Sequence, residues 1–178
     1  LDMAAAYGTI ANDGRRNQTH FVSKVEDRAG KVLFEAVPQD KQVISADVAR
    51  QAIVGMEKVV TSGTYSAGAL PDRRPAAGKT GTTEVEGGKN TDVWFVGFTP
   101  DVVAGVWVGY DQPQSMSRPA ARVALPVWAG IMNRVLTGFP ATEFPSRNDE
   151  KLVWVDPFTG LLARGDCPSP LRVPFLLG

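Results

Sequence analysis

The chain has 178 residues, 43% of them apolar and 21% charged, which is ordinary for one globular domain with a sizeable core. Lys plus Arg and Asp plus Glu both number 19, so there is no basic surplus of the kind that accompanies nucleic-acid binding. No stretch reaches the length of apolar sequence needed to span a membrane, and the single cysteine and single histidine offer no disulfide framework and no metal pattern.

The first element is a helix over 1–13. Met3, Tyr7 and Ile10 recur at helical spacing among small alanines, and Gly14 supplies a stop. Small residues allow close packing, so the helix is expected against a neighbour. A hairpin follows over 21–37, with apolar runs flanking the turn composition Asp27-Arg28-Ala29-Gly30. His20 stands at its entrance and reads as a surface residue. Residues 45–61 carry the clearest helix signal. Ser45 is a good N-cap, and Ala49, Ala52, Ile53, Met56, Val59 and Val60 form one apolar stripe. Asp47, Arg50, Gln51, Glu57 and Lys58 are assigned to a solvated face.

Residues 64–74 read as a loop, with Arg73 and Arg74 as a solvated pair. The stretch Lys79-Thr80-Gly81-Thr82-Thr83 comes next. A cation, a glycine and three hydroxyls suit an edge strand better than a core strand. On a strand, alternate side chains share a face, so Lys79 and Gly81 point one way and Thr80 and Thr82 the other. Gly81 leaves room for another backbone, and lysine and threonine can hold a carboxylate. An extended peptide can add to such an edge as an extra strand. The same composition suits an exposed edge kept soluble by its lysine, and spacing alone does not choose between the two.

Two nearly continuous apolar runs follow, 92–99 and 102–110, joined by Thr99-Pro100-Asp101. Such runs indicate strands buried on both faces, with their tryptophans as core bulk rather than a ligand platform. With the motif strand they make a three-stranded antiparallel meander, covered by helices. After a loop over 111–122, Pro126 is placed in the first turn of a helix whose apolar side is Leu125, Trp128, Ile131, Met132 and Val135, ended by Gly138. The remainder is rich in Pro and Gly. It is read as one short strand over 152–155 in an otherwise poorly structured tail, giving a division into 1–140 and a tail over 141–178.

The motif and its surroundings resemble a known family. "AAGKTGTT", a short loop, then "DVWFVGFTPDVVAGVWVGYD" is similar to the transpeptidase domain of class A, bifunctional penicillin-binding proteins. "LDMAAAYGTIANDG", "VVTSGT" and "PVWAGIMNRVL" extend the resemblance from Leu1 to about Thr137, and "VWVDPFTGLLARGDCP" carries it more faintly beyond. The resemblance implies an α+β fold: an antiparallel sheet flanked by helices, within the serine transpeptidase architecture shared by penicillin-binding proteins and β-lactamases.

It also implies a function. A serine in S-x-x-K attacks the penultimate D-Ala of a peptidoglycan stem peptide ending in D-Ala-D-Ala, and an acyl-enzyme passes the chain to a neighbouring amine. Lys79 would be catalytic, Thr80, Gly81 and Thr82 substrate-binding, and β-lactams would mimic the substrate. No metal or organic cofactor is implied. Setting and partners follow: the extracytoplasmic, periplasmic face of a bacterial inner membrane, an anchor outside this segment, and an upstream glycosyltransferase domain.

One element is missing. No serine here has lysine three residues later, and Ser146-Arg147-Asn148 matches S-x-N literally but on the wrong side of the motif. The chain opens on leucine, without an initiator methionine or signal peptide, and reads as a piece of something longer. The nucleophile is expected upstream, and the fragment alone is expected to be inactive. Two other readings remain: a non-catalytic module that docks extended peptides, and a β-lactamase or D,D-carboxypeptidase relative.

Overall fold

The computed structural model describes residues 1–61, 70, 72–85, 89–116, 118–145 and 150–176. Its centre is a three-stranded antiparallel sheet, β5 (Ala77–Val85), β6 (Lys89–Phe98) and β7 (Val103–Val108), in that spatial order. This is the meander expected from the sequence. Its register pairs Lys79 with Val96, Gly81 with Trp94, Thr80 with Phe95 and Thr82 with Val93. Cross-strand partners share a face, so Lys79 and Gly81 do lie opposite Thr80 and Thr82.

One face packs on α3 (Ala120–Val135). Phe95 and Trp128 meet edge to face at 5.0 Å, both fully buried, and the Trp128 indole N–H donates to the Gly97 carbonyl at 3.2 Å. The helix begins at Ala120, one turn earlier than predicted, so Pro126 sits inside it rather than in its first turn. Pro126 and Arg122 are both exposed, so the carbonyl that proline cannot serve meets water. The buried stripe is Ala120, Ala121, Ala124, Leu125, Trp128 and Met132, whereas Ile131 and Val135 are exposed at 42% and 47%. Alanines close to the sheet replace the bulk that the sequence reading gave to those two residues.

The other face carries α1 (Asp2–Ala11) and α2 (Ala46–Thr61). Tyr7 meets Phe98 edge-on at 6.3 Å, and Ile53, Ala77 and Phe98 form a second buried cluster. Ser45 caps α2 through its hydroxyl, which accepts the Val48 N–H at 3.3 Å. Arg50, assigned to the solvated face of α2, is instead buried, with Nε 3.3 Å from Asp13 Oδ1. After α1 the chain turns through Asp13 and Gly14, both at positive φ. Gly14 is required there, since a Cβ would lie 2.2 Å from the Ile44 carbonyl oxygen.

Two small antiparallel pairs flank this body. The expected hairpin is β2 (Lys24–Glu26) with β3 (Val32–Glu35), its turn closed by Asp27 Oδ1, which accepts the Ala29 and Lys31 N–H groups at 2.9 Å. A second pair, β1 (Arg15–Asn17) with β4 (Asp40–Gln42), has no apolar alternation and was not legible in the sequence. The segment read as a poorly structured tail with one short strand over 152–155 contains a third pair: that strand lies within β8 (Glu150–Val155), and β9 (Leu171–Leu176) is its partner. Pro and Gly fall mostly in its connection, and Pro174 is accommodated because β9 is paired on one side only among the described strands. Residues just after 140 are tied to the body: Phe144 meets Phe98 at 5.7 Å, and the Thr142 hydroxyl donates to Asp101. Among the described residues no helix is long and apolar enough to cross a membrane.

Candidate functional site

A cavity of about 360 Å³ runs along the start of β5, lined by Lys79, Thr80, Gly81, Thr82, Thr83, Trp94 and Val96 from the sheet and by Met3 and Tyr7 from α1. It gathers every residue singled out in the motif. β5 pairs with β6 on one side, and its other edge has no partner among the described strands. A strand with a free edge presents unpaired N–H and C=O groups to any extended chain that reaches it.

Lys79 carries the only charge among the residues lining the cavity, so the local field favours an anion. Its ammonium donates to the Thr80 carbonyl at 3.0 Å and the Thr80 hydroxyl at 3.3 Å, folding back along its own strand. Lys79, Thr82 and Thr83 are exposed, and Thr80 and Gly81 are half-buried. A Cβ on Gly81 would lie 3.3 Å from the Trp94 Cβ, closer than most such contacts, so the glycine keeps the strand flat against β6. Burial raises the Tyr7 phenol above its ordinary pKa, so it stays protonated and able to donate.

Two features escaped the sequence reading. Trp94 and Trp107 are not core bulk: they are 38% and 45% exposed, their rings are 6.4 Å apart, and the Trp107 indole N–H donates to Asp92 at 3.0 Å. They sit on the same face as Lys79, where α1 leaves the sheet partly uncovered. A continuous apolar run cannot report that a sheet is covered at only one end of one face. The second feature is Arg74, assigned to a solvated pair, whose side chain is 7% exposed and ion-paired to Asp72 at 2.5 Å. The pattern Asp-x-Arg ahead of a strand was the available signal.

Among the described residues no serine lines the cavity; Ser62, Ser66, Ser117 and the Ser146-Arg147-Asn148 match lie outside them. His20 is exposed, 3.4 Å from the Gln18 carbonyl and apart from the cavity. Among the described residues no group of three or more His, Cys, Asp or Glu gathers to hold a metal. The cavity thus combines one cation, several hydroxyls and a strand edge without a partner among the described strands.

Comparison with known proteins gives a consistent result. The model of the penicillin binding protein transpeptidase domain matches residues 1–133. Penicillin-binding protein 1A of Aquifex aeolicus is 37% identical over 94% of this chain and 23% of its own length. Penicillin-binding protein 2D of Bacillus subtilis is 33% identical over the whole chain and 26% of its own length. The chain thus spans about a quarter of the length of the curated relatives it matches. Among solved structures, penicillin-binding protein PonA1 of Mycobacterium tuberculosis superposes with a TM-score of 0.73 at 32% identity, covering 83% of this chain and 40% of that one. Penicillin-Binding Protein 1A of Haemophilus influenzae superposes over 99% of this chain and 32% of its own, with a TM-score of 0.83 at 21% identity, which speaks to the fold alone.

Proposed function

Because the chain belongs to the penicillin-binding protein transpeptidase domain family, we propose that it is the C-terminal portion of a class A peptidoglycan D,D-transpeptidase. In this reading residues 1–140 supply the substrate-binding strand, and the nucleophilic serine comes from an upstream part of a longer protein. The observation that carries it is the cavity along β5. Among the described residues it offers one cation, a line of threonine hydroxyls and a strand edge without a partner, and no serine lines it.

The chemistry follows from those residues. A stem peptide ending in D-Ala-D-Ala lies along β5 as an added strand. Its terminal carboxylate is held by the Thr80 and Thr82 hydroxyls and by the potential of Lys79. The serine attacks the penultimate carbonyl, the terminal D-Ala leaves, and a neighbouring amine accepts the acyl group. The Thr82 backbone N–H supplies one oxyanion donor, a contribution of about 3 kcal/mol to the transition state, and the serine's own N–H supplies the other. Lys79 moves off the Thr80 carbonyl to face the serine and assist its proton. β-Lactams acylate the same serine. The apolar surface beside Lys79, with Met3 51% exposed and Trp94 38%, supports a missing neighbour at this place. An upstream glycosyltransferase domain, a membrane anchor and the periplasmic face of the inner membrane belong to the same proposal.

Fluorescent penicillin tests this directly. The full-length protein is expected to label covalently, its Lys79→Ala variant to lose most labelling, and the isolated chain to remain dark. Labelling of the isolated chain would reveal a nucleophile within it. An unlabelled full-length protein would refute the transpeptidase reading and leave peptide docking at the β5 edge as the better account. Rapid release of hydrolysed penicillin would point to the β-lactamase or carboxypeptidase relative.

A further inference from the structure

The two arginines ahead of the Lys-Thr-Gly strand have opposite fates. Arg73 is exposed and holds a φ of 56°, in the left-handed region that a residue with a side chain occupies only under constraint. Arg74 supplies the constraint. Its Nε and Nη2 both lie 2.5 Å from Asp72 Oδ2, and its own backbone N–H donates to Asp72 Oδ1 at 3.2 Å. The turn is closed again by the Arg73 N–H, which donates to the Leu70 carbonyl at 2.9 Å. Leu70 on one side and Ala76 on the other are buried in the main core, 3% exposed each.

The same guanidinium reaches across the molecule. Nη2 donates at 3.0 Å to the carbonyl of Phe139, in the loop that closes α3. That loop is itself fixed by Gly138 at φ 86° and by the Phe139 N–H donating to Leu136 at 3.0 Å. Nη1 is buried without an acceptor among the described residues. Asp72, hydrogen-bonded by Arg74, is held below the usual carboxylate range and so stays charged against the guanidinium. A paired guanidinium with little exposure adds little net stability compared with apolar packing, but it fixes geometry well, because its planar fork bonds in set directions.

We propose that Arg74, oriented by Asp72, is the positioning residue of the substrate strand: it pins the entry of β5 to the end of α3 and so sets where Lys79, Thr80 and Thr82 stand. The reason is mechanical. Among the described strands β5 is hydrogen-bonded on one side only, so pairing with β6 fixes its register while its other edge has no ladder of its own to hold it. An anchor at its entry adds the second fixed point. Lys79 follows Arg74 after Pro75, the buried Ala76 and Ala77, and Gly78, a run with little slack. Small displacements at a reacting centre are costly, since an error of about 1 Å can lower a rate roughly a hundredfold.

This inference rests on the transpeptidase reading, and the experiment separates the two. Acylation of the full-length protein by fluorescent penicillin is timed well below each variant's melting temperature and expressed per folded molecule. Arg74→Ala is expected to slow acylation roughly tenfold to a hundredfold. Arg74→Lys keeps the charge but cannot bond Asp72 and Phe139 together, and is expected to recover part of the loss. Asp72→Asn is expected to reproduce the Ala effect, and the double variant to be no slower than Arg74→Ala alone. If Arg74→Ala lowers the melting temperature yet acylates at the wild-type rate, its role is only structural and the inference fails. Should Arg74→Ala not fold, the Lys and Asn variants decide: wild-type rates in both overturn the proposal. A wild-type protein that never labels overturns the transpeptidase reading, and the inference with it.

Discussion

Gly97 is the position where the core leaves no room, and Gly97→Ala is the sharpest test of how the sheet packs on α3. A Cβ there would stand 2.7 Å from Phe95 Cε1 and 2.8 and 2.9 Å from two atoms of the Trp128 indole. Neither ring can retreat. Both are fully buried and lie edge to face, and Trp128 is further tied to the Gly97 carbonyl by its N–H. Inserting a methyl group into such a contact costs about 1–3 kcal/mol. For a chain of this length about 2 kcal/mol corresponds to a fall of about 4–8 °C in melting temperature. Gly130 is the control: it lies inside α3 with nothing within 4 Å of a Cβ, so Gly130→Ala should gain about 1 kcal/mol from helix propensity alone. Urea unfolding followed by circular dichroism, in dilute protein, reads both. Equal midpoints for the two variants, or a more stable Gly97→Ala, would refute the packing described between β6 and α3.

Other consequences concern charge and exposed surface. Glu57 on α2 has its carboxyl pushed above the ordinary range, first by burial, then by Glu143, with Lys58 opposing. The folded chain therefore keeps that proton to higher pH than the unfolded chain does. Its contribution to stability is greatest below this window and falls as pH rises through it. Glu57→Gln is expected to flatten that slope and to raise the urea midpoint at neutral pH but hardly in acid; a wild-type slope in the variant would refute the assignment. The isolated chain also leaves large apolar side chains in water, with Phe21 at 89%, Leu33 at 61%, Trp107 at 45% and Trp94 at 38% exposure. It is expected to bind a hydrophobic dye and to self-associate as concentration rises, more weakly after Trp94→Ser. A monodisperse chain that ignores the dye and melts cooperatively would count against a missing neighbour.

Much of this protein is decided by local sequence. The nearly continuous apolar runs of β6 and β7 and the short turn at Thr99-Pro100-Asp101 dictate a meander, because two adjacent strands joined by so short a connection have antiparallel pairing as the simple solution. Lys79-Thr80-Gly81-Thr82 declares its two faces in the same way, and the β5–β6 register agrees. The stripe of α2 and its Ser45 cap are likewise local, and the family resemblance rests on these same stretches.

What the sequence could not determine are the matters settled by distant atoms. Whether Arg74 and Arg50 are solvated depends on Asp72, Phe139 and Asp13 arriving beside them, which no periodicity encodes. Whether Trp94 is core or surface depends on where α1 stops covering the sheet. The β1–β4 pair forms between polar segments with no strand signal, and the short strand read over 152–155 finds its partner in β9, a proline-bearing segment that carried no such signal. In each case backbone hydrogen bonds or one buried charge pair override weak local preference. Local residues thus determine the main helices, the central strands and the Lys-Thr-Gly motif; long-range packing alone decides which face of the sheet is left open and which charged side chains are buried.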